Sequence, residues 1–120
     1  MSSNNELFSI RYFDDQYKEL YDWKNTNDYE KKALYGCSIR IKEQVHINKF
    51  IYVIEMDNTN NRILGISRIK NRVWRDKIYN IHQHKRYNRI IYKGKYRIDC
   101  SDFMDEELYF IHILEDIMFY

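Results

Sequence analysis

The chain has 120 residues, 20 Lys and Arg against 18 Asp and Glu, a formal charge of +2, and no proline. That length fits one domain over 1–120, with a flexible polar start over residues 1–6, and leaves no room for a second core. No apolar run reaches the roughly eighteen residues of a membrane span, no apolar stretch follows the N-terminus as in a secretory signal, and Cys37 and Cys100 lack the close spacing of a zinc cluster or a disulfide framework. A soluble intracellular protein, cytoplasmic or nuclear, with both thiols reduced is the expectation.

Leu7 to Phe13 alternates apolar and polar residues and predicts a strand. Asp14-Asp15 offers an N-cap for a helix with Tyr17, Leu20 and Tyr21 on one face, ended by Asn25-Thr26-Asn27. A second short helix is expected from Asp28, burying Ala33 and Leu34, with Gly36 in the left-handed cap position. An extended piece, Cys37 to Ile41, follows. Phe50 to Met56 is apolar on both faces except for Glu55, as a central strand should be, and the turn formers Asp57 to Asn61 connect it to Arg62 to Lys70 as a hairpin. After a long loop with Trp74, Arg89 to Asp99 alternates again. Ile90, Tyr92, Gly94, Tyr96 and Ile98 form the face expected to pack, and Arg89, Ile91, Lys93, Lys95 and Arg97 a nearly all-cationic face. Ser101 is placed as the cap of a final helix, acidic in its first turns, whose stripe of Leu108, Ile111, Leu114, Ile117 and Met118 covers the sheet. The pattern is that of an α+β domain whose small twisted sheet curls toward a barrel, flanked by helices.

The small net charge conceals a strong asymmetry. Twelve basic residues and one acid, Asp76, lie between Arg62 and Arg97, a formal +11, while the remaining 8 basic and 17 acidic residues carry −9. Trp74, Tyr79, Tyr87, Tyr92 and Tyr96 are interleaved with that block. Cations for phosphates and flat rings for bases are what a single-strand binder needs, although most charge runs only solvate a surface. On a strand, Lys93, Lys95 and Arg97 would stand about 7 Å apart, close to the spacing of successive phosphates.

Other constellations carry less. His82 and His84, two apart, lack a third metal ligand nearby in sequence, so no metal is expected. Cys37 with His46 or His112 lacks an orienting group, and a buried thiol is the simpler reading. Glu55 in an apolar strand is expected to pair with an Arg of the hairpin partner rather than to act as an acid or base. Gly36, Gly65 and Gly94 do not compose a phosphate loop. No enzyme activity and no cofactor is expected.

The order of elements, and several strings within it, resemble the YTH domain of the PUA-like group over about Leu7 to Tyr120. Phe8-Ser9-Ile10-Arg11 is similar to that family's opening strand, and Tyr35-Gly36-Cys37-Ser38 to its Trp-Cys-Ser string, with Gly36 standing where the Trp would be. Phe50 to Ile54 and Asn61 to Ser67 look like its buried strand and hairpin return. Tyr92-Lys93-Gly94-Lys95-Tyr96 resembles its Trp-Lys-Gly-Lys-Phe strand. The resemblance implies binding of RNA containing N6-methyladenine in an aromatic cage. One cage wall would be Tyr87, five residues before that last string, while the wall at Gly36 is absent unless Tyr35 or Trp74 replaces it. Related EVE and ASCH domains keep the barrel and pocket but read other bases.

The sequence therefore leads to a single-stranded nucleic-acid binder, RNA before DNA, that recognises a modified base. Its pocket would lie between the first helix region and the loop before Arg89, at Tyr35, Gly36, Cys37, Ser38, Trp74, Tyr87 and Asn88. Arg86, Arg89, Lys93, Lys95 and Arg97 would hold phosphates. The alternative is a PUA-like interaction module that uses its basic face to grip an acidic protein partner or to block a host factor. A modified-nucleoside hydrolase with Glu55 and a Lys ranks last.

Overall fold

The computed structural model describes residues 6–13, 15–41 and 49–119. Asp14 of the expected cap pair and His46 lie outside them. The chain runs β1 (Glu6–Tyr12), α1 (Gln16–Thr26), β2 (Ala33–Cys37), β3 (Phe50–Asp57), β4 (Arg62–Lys70), β5 (Ile90–Gly94), β6 (Tyr96–Asp99) and α2 (Asp105–Phe119). One mixed sheet has the order β1-β3-β4-β6, with β1 parallel to β3 and the other pairs antiparallel, while β2 and β5 form a separate antiparallel ribbon. The architecture is α+β. Its strands divide between two sheets and do not close into the barrel that the sequence led us to expect.

Period-2 alternation sorts the side chains of β3 between two cores. Ile51 and Val53 face a main core built with Tyr12, Leu20 of α1, Leu34 and Tyr35 of β2, and Ile91 and Tyr92 of β5. Ile54 and Met56 face the opposite way, onto Ile63 and Ile111 of α2. Burial on both sides explains the continuous apolar run of β3, and each buried Leu, Ile or Met contributes about 1.5–3 kcal/mol. The expected hairpin is present, with a bulge at Glu55/Met56 and Asn61 at φ 55 in the turn.

Three local expectations are corrected. No helix starts at Asp28: that residue has φ 60, the chain turns, and Ala33 to Gly36 forms a strand buried on both faces. Four consecutive buried residues suit a ribbon between two layers, whereas a surface helix has an exposed side. Gly36 is therefore not a helix cap. It is needed because a Cβ would collide with the Tyr87 carbonyl oxygen and stand 3.2 Å from the His82 ring.

The single strand expected over Arg89 to Asp99 is broken at Lys95, because its two halves pair with different sheets. At the break, the Gly94 backbone crosses β4 so closely that a Cβ would collide with the Arg68 carbonyl oxygen. The expected faces do not survive this. Ile91 and Tyr92 are both buried, Tyr96 and Ile98 are open to solvent, and Arg97 turns inward.

Ser101 does not cap α2. It sits in a short 3-10 turn, Cys100–Asp102, where its N–H and hydroxyl donate to Asp99 at 3.1 and 2.6 Å. The first turn of α2 is held instead by the Met104 N–H donating to Glu107 Oε1 at 3.0 Å, one half of a capping box. Ile111 and Leu114 reach the second core as expected, with Met118 and Phe119, but Ile117 faces solvent. Among the described residues no helix is long and apolar enough to cross a membrane.

Candidate functional site

Where β5 crosses β4, the sheet end and the loop after β4 enclose a groove of about 530 Å³, within the size range of ligand pockets. Six cations line it: Lys32, Arg68, Lys70, Arg72, Lys93 and Lys95. Four rings line it as well, Tyr29, Phe50, Trp74 and Tyr96, and among the described residues no carboxylate does. The register builds this arrangement. Phe50 pairs with Lys70, Tyr52 with Arg68, and Arg68 with Tyr96, so these side chains share the face of the sheet on which α2 packs, at the end where Phe50, Tyr52 and Tyr96 stay exposed.

The cations and rings are already in contact. The Arg68 Cζ lies 4.2 Å from the Phe50 ring centroid and 4.9 Å from that of Tyr96, while Arg72 and Lys93 lie 4.5 and 4.3 Å from Trp74. Such contacts contribute about 0.5–1 kcal/mol each at exposed sites and orient the rings. Lys93 is held most firmly, its ammonium donating to the Tyr79 hydroxyl at 2.6 Å, Asp76 at 3.2 Å and the Tyr29 hydroxyl at 3.3 Å. Burial opposes its charge, but these bonds outweigh that effect and push its pKa up to about 12. A shallower depression shares Trp74 with the groove and carries Arg75, Lys77, Lys85 and Arg89.

A second, smaller cleft of about 200 Å³ lies between the start of α1 and the loop before Arg89, where the sequence led us to expect a base pocket. Gly36, Cys37, Ser38 and Tyr87 line it together with Tyr12 and His82. The Tyr12 hydroxyl is buried without a hydrogen-bond partner among the described residues. His82 is fixed by Glu19, Nδ1 to Oε1 at 2.9 Å. Burial pushes the Cys37 thiol up to about 11, which leaves it protonated and a poor nucleophile at neutral pH. His112 is on α2 with Glu115, away from this cleft, and among the described residues no group of His, Cys, Asp and Glu could hold a metal.

Several expected site residues do other work. The Tyr35 hydroxyl is buried against Glu55 and Ser67, so it supplies no cage wall, and Trp74 belongs to the large groove. Asn88 braces its own loop, accepting from the N–H groups of Ile81 and His82 and donating to the His82 carbonyl. Arg97 is withdrawn from solvent, with a side chain 6% exposed. Its guanidinium donates to both oxygens of Glu55, at 2.7 to 3.1 Å, and to Asp99 at 3.0 Å. The expected Glu55–Arg pair thus exists, but through β6 rather than the hairpin partner β4. Burial works against the Arg97 charge, and Glu55 outweighs it and drives the pKa up. A row of Lys93, Lys95 and Arg97 along one edge does not form. Lys95, Arg86 and Arg89 are exposed.

Sequence reasoning missed Phe50, Arg68, Lys70 and Arg72. The available signal was the two-residue spacing of Phe50 and Tyr52, and of Arg68 and Lys70, which puts each pair on one face of its strand. Comparison with protein-family models, curated proteins and solved structures gives no match, so the site rests on its own geometry.

Proposed function

We propose that this domain binds single-stranded nucleic acid, RNA in the first instance, in the groove between β3, β4, β6 and Trp74. The observation that carries the reading is a lining of six cations and four aromatic rings, with no carboxylate among the described residues. Lys and Arg neutralising phosphates release counterions and supply sequence-independent affinity, and each base stacked on a ring adds about 1–3 kcal/mol. Arg75, Lys77, Lys85 and Arg89 around the neighbouring depression extend the backbone track past Trp74 toward Tyr87. No chemistry on the strand is required.

Recognition of a modified base, and kinship with the YTH and PUA-like group, belong to the same proposal. Their support is the order of the strings and the cleft at Gly36, Cys37, Ser38 and Tyr87. Tyr87 offers that cleft one stacking wall. With Tyr35 turned away from the cleft, the rings left to oppose Tyr87 are His82 and the edge of the largely buried Tyr12, whose hydroxyl, unpartnered among the described residues, would gain a partner from a base edge.

Fluorescence anisotropy tests the reading, with short RNA strands with and without one N6-methyladenine, the matching DNA strand and an RNA duplex, at two salt concentrations. Strand binding that falls steeply with salt and exceeds duplex binding is expected, with preference for the methylated strand if the cleft reads the base. Salt-insensitive binding or preference for the duplex would sink it.

A second reading, a protein-interaction module, is favoured by α2. Tyr109, Phe110, Ile113 and Ile117 are exposed on its outward side, and the helix carries acids but no Lys or Arg. The absence of any strand binding at low salt would move that reading to first place.

A further inference from the structure

Arg68 occupies an unusual place for a cation. It lies on β4, flanked by β3 on one side and β6 on the other, so Phe50 and Tyr96 approach its guanidinium from opposite sides. The two ring distances, 4.2 and 4.9 Å, bracket the shortest centroid spacing of an offset aromatic stack, about 4.5 Å. Both rings reach solvent, Phe50 at 40% and Tyr96 at 61% exposure. Among the described residues the guanidinium has no ion pair or hydrogen bond. Its neighbours in the groove are further cations, with Lys70 Nζ 5.3 Å from the same Phe50 ring. A flat, delocalised cation therefore fills a slot between two open rings, in surroundings that repel its charge.

We propose that the slot between Phe50 and Tyr96 takes one unpaired base of a bound strand, and that Arg68 holds the slot in the free protein and moves onto a neighbouring phosphate as the base enters. The inference rests on the nucleic-acid reading above and assigns that groove its stacking position. Relative affinities favour the exchange. The two exposed cation–π contacts given up correspond together to roughly a 5- to 30-fold effect, a stacked base to roughly 5- to 150-fold, and the displaced guanidinium also gains a charge-assisted bond to phosphate. The slot selects flatness rather than base identity, because ring faces and a guanidinium read no base edge. Duplex DNA or RNA is excluded, since its bases are already stacked.

The test uses the full chain and a set of short oligouridine strands, each with one 2-aminopurine moved along the sequence. Anisotropy reports affinity and 2-aminopurine quenching reports stacking. In the wild type, quenching should peak at one position. Tyr96→Leu and Phe50→Leu keep apolar bulk on exposed sites while removing the ring. Each should lower affinity about 5-fold or more and abolish that quenching, with the salt dependence unchanged. Arg68→Ala should keep the quenching and lower the slope of log affinity against log salt by about one contact. Strand binding that persists with the same quenching in both Leu variants would overturn the slot while leaving the nucleic-acid reading intact, as would loss of quenching in Arg68→Ala. No binding of any strand by the wild type would overturn both.

Discussion

Arg68 and Arg97 sit one register step apart on the antiparallel pair β4 and β6, Ser67 opposite Arg97 and Arg68 opposite Tyr96, and they meet opposite fates. On one face of the sheet, Arg97 is locked on Glu55 and Asp99 beneath Tyr35 and Ser67. On the other, Arg68 lies between two exposed rings, with no anion beside it among the described residues. The comparison teaches that a cation's role here is decided by whether a carboxylate shares its face. Glu55 turns one face into structure. Apart from the Asp76 that holds Lys93, no acid among the described residues reaches the groove cations, which leaves the other face available for a ligand.

The buried face should break most easily. Arg97→Met leaves Glu55, 1% exposed, without its partner, and stability should fall by about 3–5 kcal/mol in urea unfolding. The double variant Arg97→Met with Glu55→Leu should recover most of that loss, because two apolar residues replace two desolvated charges. An additive loss in the double variant would show that the pair does more than neutralise itself.

Lys24 sharpens the same contrast with the opposite sign. Buried in α1, it has its pKa lowered to about 8 by burial, with Arg97 adding to the effect. Because that value lies below the unfolded 10.5, the unfolded chain binds more protons between the two. The cost is therefore full below pH 8 and fades as pH rises toward 10.5. Lys24→Met should raise stability by about 1–3 kcal/mol at pH 7, and the gain over wild type should shrink across that window. A gain that does not change with pH would assign it to packing instead.

Smaller effects probe the cleft and the groove. In Gly36→Ala the new methyl must displace the Tyr87 carbonyl, so a loss of about 1–3 kcal/mol is expected, with thermal melting as the measure. Lys95→Glu lies on the open side of the break. It should change stability by no more than about 0.5 kcal/mol, while weakening binding to all strands and lowering the salt slope by about one contact. A large stability loss there would mean that Lys95 belongs to the structural face.

Much of this was legible because it was local. The strand from Leu7, the turn at Asp57 to Asn61 and the acidic start of the last helix each follow from a pattern within about ten residues. The Glu55–Arg pairing was legible for a different reason: a buried carboxylate needs a cation. Its partner strand was misjudged, because the β4 residue across from Glu55 is Gly65, and the absence of a side chain there lets Arg97 reach over from β6. Tyr35 read as a pocket wall and proved to be core, since Gly36 lets the Tyr87 loop settle on β2 while Tyr35 turns toward Glu55. The groove escaped notice because its rings and cations come from four separated stretches, around 29–32, 50, 68–74 and 93–96.

The sequence by itself determined the inventory: a basic, aromatic block set against an acidic remainder, an apolar central strand, and an α+β order of elements. Tertiary structure decided which cations face water. A strand's alternation fixes only that neighbours point oppositely, and the break at Gly94, forced where the backbone crosses the Arg68 carbonyl, resets which side is which. Pairing β6 with β4 then put Arg97 over Glu55 and Tyr96 in the open. That choice depends on contacts between residues some forty positions apart, which no local pattern encodes.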